Sequence, residues 1–127
     1  MAEVVRSGRF VVLEHEWNGV HWDFMLEAED GLRTWSMNAP PAFGREQPAR
    51  ALADHRPAYL SYEGPVSGDR GRVKRVAQGM FQAIEWESGH VRIRLTGDQL
   101  VGEVDLSCSG PDCTAGSTWS FRLGKVD

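Results

Sequence analysis

Only two of the 127 residues are cysteine, Cys108 and Cys113. Two thiols are too few for a disulfide scaffold, and a structural zinc site finds no second cysteine pair to complete its four ligands. They stand in Cys108-Ser-Gly-Pro-Asp-Cys113, a turn-rich stretch compatible with plain thiols or with an incidental bridge in a hairpin loop. Long apolar runs are missing as well. Nothing approaches the ~18–20 residues that cross a bilayer, and the first residues lack the apolar core of a secretory signal. A chain without membrane contact, placed in the cytoplasm, is the expectation. An excess of positive charge is also absent: Lys+Arg 14 against Asp+Glu 18 leaves a net charge of −4. That excludes a broad duplex-hugging surface, but not a local cluster able to handle a single phosphate. With 41% hydrophobic and 25% charged residues, wholesale disorder is excluded too. The length suits one domain spanning 1–127.

What is present is a succession of short strand patterns. Arg9–His15 is rich in β-branched and aromatic residues, and an Asn18-Gly19 turn follows it. Val20–Glu27 alternates strictly, with Val20, Trp22, Phe24 and Leu26 on one face and His21, Asp23, Met25 and Glu27 on the other. A period of two is the mark of a half-buried strand. Asp30-Gly31 signals a hairpin returning through Leu32–Met37. Prolines and glycines make 38–48 a loop. The alanines of Pro48–His55 predict a short helix, Tyr59–Glu63 reads as a strand, and a glycine-punctuated loop then carries Arg70, Arg72, Lys74 and Arg75. Four more strands follow: Gly79–Glu87, His90–Leu95, Leu100–Leu106 and Ser117–Leu123. About eight short strands predict a mainly β fold, a small closed or nearly closed antiparallel barrel with one or two short helices.

The chemistry concentrates at the first hairpin. His21 and Asp23 are two apart on one strand and share a face, and His15 closes the preceding strand across the turn. Two imidazoles and one carboxylate with open positions suit a divalent catalytic ion such as manganese, iron(II) or zinc. The competing reading is a solvated strand face on which His and Asp simply pair.

Phe10-Val-Val-Leu-Glu-His15, His21-Trp-Asp-Phe-Met-Leu-Glu27 and Leu32-Arg-Thr-Trp35 resemble the opening signature of the 3′-phosphoesterase domain of bacterial DNA ligase D. The resemblance continues in order through Asp54-His55-Arg-Pro-Ala-Tyr59, Tyr62-Glu63-Gly64, Leu95-Thr-Gly97 and Leu100-Val-Gly102. It implies a small β-barrel with a crescent-shaped groove. The implied activity is manganese-dependent removal of 3′-phosphates and terminal ribonucleotide remnants from primer ends. By the same resemblance His15, His21 and Asp23 are metal ligands, with Mn2+ expected and Zn2+ or another divalent ion as alternatives. His55 contacts the scissile phosphate and Tyr59 stands beside it. DNA or RNA 3′ ends are the implied substrates. Separate DNA ligase, polymerase or end-binding proteins are the implied partners.

The sequence departs from the family where cations are concerned. Met25 replaces the arginine two residues beyond the metal-binding aspartate, and Met37-Asn38-Ala39-Pro40 offers no lysine after the tryptophan strand. Residues before the first strand are matched only by Glu3 and Arg6. Arg33, Arg45, Arg50 and Arg72 are the candidates to replace the lost cation, with Arg50 assigned beside His55 and Tyr59 as catalytic. Trp17, Arg33, Arg70 and Arg72 are assigned to substrate binding. For the basic segment 70–75 a solvated, charged strand edge is the competing reading. Two functional alternatives stand beside the enzyme: an end-binding module that has lost turnover, and a metal-dependent hydrolase of small phosphate esters.

Overall fold

The computed structural model describes residues 7–125; Glu3 and Arg6, singled out above, lie outside them. Nine strands form one antiparallel sheet: β1 (Ser7–Glu16), β2 (Val20–Glu27), β3 (Leu32–Met37), β4 (Glu46–His55), β5 (Gly64–Pro65), β6 (Arg72–Trp86), β7 (His90–Gly97), β8 (Val101–Cys108) and β9 (Thr118–Gly124). Their order is β1-β2-β3-β4-β9-β8-β7-β6-β5, and an additional β1–β6 pairing closes the sheet. The result is a closed eight-stranded barrel with β5 as a short appendage. Closure leaves the eight barrel strands without a free edge.

Every barrel strand sends residues inward. Phe10, Phe24, Trp35, Phe81, Trp119 and Phe121 are the largest side chains of this interior, all at least 98% buried. Phe24 meets Phe121 edge to face at 5.2 Å, and Trp35 meets Trp119 the same way at 5.4 Å. The inward set on β2 is the Phe24–Leu26 face that the alternation indicates, with Trp22 half-buried against it. The opposite face of β1 and β2 has a smaller cluster of its own. Val11, Leu13 and Met25 pack there with Leu32, Leu60, Val66 and Val73, beneath the segment that crosses from β4 to β6.

Three expectations from the sequence are corrected here. Pro48–His55 is not a helix but most of β4. Gln47, Ala49 and Ala51 are buried in alternation with exposed Glu46, Pro48 and Arg50. The alanines are small because they join the interior occupied by Trp35 and Trp119, so packing overrides helix propensity. Tyr59–Glu63 is not a strand: Pro57–Leu60 forms a single 3-10 turn, the one helical element among the described residues, with proline in its first turn. Of the basic segment, Arg72, Lys74 and Arg75 belong to β6, paired with Glu16, Glu14 and Leu13 of β1.

Cys108 and Cys113 are joined by a disulfide in the β8–β9 loop, the second of the two states open from sequence. Arg33 is also placed away from its expected role. Its guanidinium lies 5.2 Å from the ring centres of both Trp35 and Trp86 and 5.6 Å from that of Trp119. It donates to the carbonyls of Glu87 (2.9 Å) and Ser88 (3.2 Å). Burial lowers its pKa, and the charge of Asp54 only partly opposes that. It ties β3 to the β6–β7 turn and takes no part in the groove described below.

Two predictions follow from this packing. Phe121→Ala removes a fully buried ring shared by β2 and β9 and should cost about 3–5 kcal/mol, read as a lowered urea midpoint at unchanged slope. His90 on the barrel exterior lies between Glu85 Oε2 (2.8 Å) and Asp105 Oδ1 (3.0 Å), while Arg92 neighbours Glu85 and Glu103. Desolvation opposes the charged imidazole, but the hydrogen bonds and charges of Asp105 and Glu85 outweigh it and raise the pKa above 6.5. A raised histidine contributes stability that is full below 6.5 and fades as pH climbs through the folded value. The melting-temperature advantage of wild type over His90→Gln should therefore be largest just below pH 6.5 and shrink in alkaline buffer.

Candidate metal centre and groove

The β1–β2 hairpin sets the centre. Its register opposes His15 to His21 and Leu13 to Asp23, and all four point away from the barrel interior. His15 Nδ1 lies 3.1 Å from His21 Nε2 and 3.9 Å from Asp23 Oδ2; His21 Nε2 lies 3.3 Å from Asp23 Oδ1. One ligand atom from each of the three residues falls within 4.8 Å of the others.

Protons limit what this arrangement is. His15 Nε2 lies 2.8 Å from the carbonyl oxygen of Arg70, which only accepts, so Nε2 carries the hydrogen and Nδ1 presents a lone pair to the centre. Fixing the tautomer of one ring nitrogen through the other is how metal-binding histidines are commonly oriented. Gly71 makes that contact possible. With φ +75°, it approaches β1 so closely that a Cβ would lie 1.7 Å from the Glu16 carbonyl oxygen. His21 is raised above the ordinary imidazole pKa. The Asp23 carboxylate contributes most as a hydrogen-bond acceptor, burial opposes it, and the carboxylate charge adds to it.

Asp23 is 3% exposed, and its Oδ1 has no well-aligned hydrogen-bond partner among the described residues. A buried carboxylate oxygen left in this state costs free energy unless something positive completes it. Two imidazole nitrogens and this oxygen, facing one another, fit a divalent cation, and the mixed N/O donor set suits manganese, iron(II) or zinc.

The centre sits in a groove of about 920 Å³ on the outer face of β1–β4. Directly opposed residues run across the sheet as Leu13, Asp23, Ser36, Arg50 and Thr118. Arg50 is thus two strands from Asp23, roughly 10 Å at ordinary strand spacing, and lines the groove. His55 reaches the same face through an irregularity in the β3–β4 pairing. Leu32 opposes His55 while Thr34 opposes Leu52, so β4 spends an extra residue and re-aims His55 outward. The His55 and Tyr59 rings are 5.8 Å apart, edge to face. Trp17, 45% exposed, is near-parallel to His15 at 6.1 Å and also lines the groove.

Of the expected residues, then, His15, His21, Asp23, Arg50, His55, Tyr59, Trp17 and Arg70 come together around one groove. Arg33 and Arg72 do not. Arg33 is held among the tryptophans, and exposed Arg72 alternates with the groove-lining Val73, so it points to the other face of β6. Arg70 is present in an unexpected manner. Its carbonyl supports His15, while its guanidinium turns back to Ser67. Arg56 and Asp54 line the groove without having been singled out. Their adjacency to His55 was the available signal for both. Met25 lies on the groove floor, 1% exposed.

The barrel thus carries a two-histidine, one-carboxylate cluster that could hold a metal ion, in a groove flanked by arginines. Residues 13–107 match the family model of the DNA Ligase D 3′-phosphoesterase domain, and the chain belongs to that family. No curated protein matches the sequence. No helix among the described residues is long and apolar enough to cross a membrane.

The centre makes a direct prediction. Asp23→Asn keeps the shape but removes the charge, and should weaken Mn2+ binding on the order of 100-fold. Titration calorimetry reads this loss. In wild type, saturating Mn2+ should raise the melting temperature by mass action; an unchanged melting temperature would count against a metal site here.

Proposed function

We propose that this protein is a manganese-dependent 3′-end-processing phosphoesterase. It would remove 3′-phosphates or terminal ribonucleotide remnants from DNA or RNA ends during end-joining repair. The observation that carries the reading is the convergence of His15, His21 and the incompletely partnered Asp23 in one groove with His55 and Arg50. Family membership supports the phosphoester chemistry. His15, His21 and Asp23 would hold the ion, which when bound supplies Lewis-acid polarisation and charge neutralisation to a phosphoryl group.

The protein's own residues do the rest. His55 lines the groove, and its Nδ1, 3.0 Å from the Ala53 carbonyl, is engaged there, which leaves the other ring nitrogen for the substrate. A histidine there stabilises phosphate charge and supplies a proton to the leaving 3′ oxygen. Arg50 takes over the cationic role that Met25 does not fill, its planar fork matching two phosphate oxygens. Tyr59 backs the His55 ring, and Trp17 offers an exposed face to the sugar or base. Ligase, polymerase or end-binding proteins would complete the repair, in the cytoplasm.

Purified protein with Mn2+ and a primer–template ending in a 3′-phosphate should release inorganic phosphate. His21→Ala should abolish release, and His55→Ala should lower its rate by about 10²–10⁴-fold. Mn2+ and DNA binding without release would instead support an end-binding module. The burial of neutral Met25 where the family has its arginine favours that second reading. Release confined to small phosphate esters would identify a metabolite hydrolase.

A further inference from the structure

A second, smaller cleft of about 400 Å³ opens beside the groove, and Arg56, Tyr59 and Val66 belong to the walls of both. Its far side is made by Tyr62 and Pro65. Three rings lead into it from the metal centre. His55 and Tyr59 are 5.8 Å apart, Tyr59 and Tyr62 are 5.9 Å apart, and each successive pair meets edge to face. Tyr62 is 38% exposed, yet it is held in place, because its hydroxyl donates to the Pro65 carbonyl. Arg56 has no ion-pair partner among the described residues, although it stands at the junction of cleft and groove.

Exposed aromatic and apolar walls next to an unpaired guanidinium, continuous with an arginine-flanked groove, match one kind of occupant. We infer that this cleft is a nucleobase subsite. It receives the base of the 3′-terminal nucleotide, while Arg56 faces the backbone and the terminal phosphate lies in the groove. This rests on the phosphoesterase reading and deepens it by naming the substrate class. A base can enter a side cleft only when it is not stacked and paired in a duplex, so the preferred ends are single-stranded, frayed or mismatched. Recognition is by stacking, which every base can supply, so it does not depend on sequence.

The test is equilibrium binding rather than turnover. A short 5′-fluorescent single strand ending in a hydrolysis-resistant 3′-methylenephosphonate is titrated with Mn2+-loaded protein, beside the same strand with an abasic terminal residue. Anisotropy should show about tenfold weaker binding of the abasic strand. Tyr62→Ala should bring the intact strand down to the abasic level, whereas Tyr62→Phe, which keeps the ring, should preserve the discrimination. Equal binding of intact and abasic strands by wild type, or binding of neither, would overturn the subsite. Should Tyr62→Ala fail to fold, the wild-type comparison decides alone. The two readings fail separately: phosphate release without base discrimination removes only the subsite. Base discrimination without phosphate release removes only the hydrolytic activity.

Discussion

The register of the β1–β2 hairpin governs everything at the site. Three residues, Trp17, Asn18 and Gly19, connect Glu16 to Val20, and Asn18 and Gly19 both adopt positive φ, 55° and 114°. That turn sets His15 opposite His21 and Leu13 opposite Asp23. Side chains alternate with a period of two, so a slip of one residue would carry Asp23 into the barrel interior and bring Trp22 or Phe24 out. The interior resists this slip because Phe24 is already engaged with Phe121 and Trp35. The hydrophobic face thus enforces the geometry of the polar one. A carboxylate with an incompletely partnered oxygen can be tolerated because so much apolar surface pins its strand.

The features that could be read from sequence are those carried by strict alternation within one strand. His21, Asp23 and Met25 share a face because their spacing leaves no other choice in a strand, and His15 follows from the short turn. The features that could not be read depend on partners distant in the chain. The alanines of β4 resemble a helix until Trp35 and Trp119 are known to fill the space against them. Arg33 shares the inward face of Trp35 by alternation, yet its charge reads as a solvent or substrate contact until aromatic rings from three separate strands are seen to collect around it. His15 depends on a carbonyl 55 residues away, and a backbone oxygen leaves no trace in residue type. The trace lies instead in Gly71, whose missing side chain lets the loop come close enough.

Charge behaves similarly. A net charge of −4 describes the whole surface and says little about the groove, whose lining sets Arg50, Arg56 and the segment at Arg70 beside Asp23 and Asp54. Fields in a cleft are set by nearby groups, and counterions screen exposed charges beyond about 8–10 Å. An acidic protein can therefore hold a phosphate locally while leaving the length of a duplex unattended. That restriction favours contact with an end rather than with a tract.

The two faces of β1 and β2 divide the work in a way that bears on the loss of the family's arginine. Met25 is packed with Leu13, Leu60, Val66 and Val73 in the small outer cluster, which anchors the segment carrying Tyr59 and the Arg70 carbonyl. A guanidinium in its place would gain a phosphate contact but would have to be desolvated among these apolar neighbours. The methionine instead strengthens the cluster that holds the groove's far wall. A groove-lining cation is available on β4, where Arg50 stands in the same cross-strand row as Asp23 and is solvated. An apolar residue at position 25 and an anchored groove wall are thus one packing solution, made on a single face of the sheet.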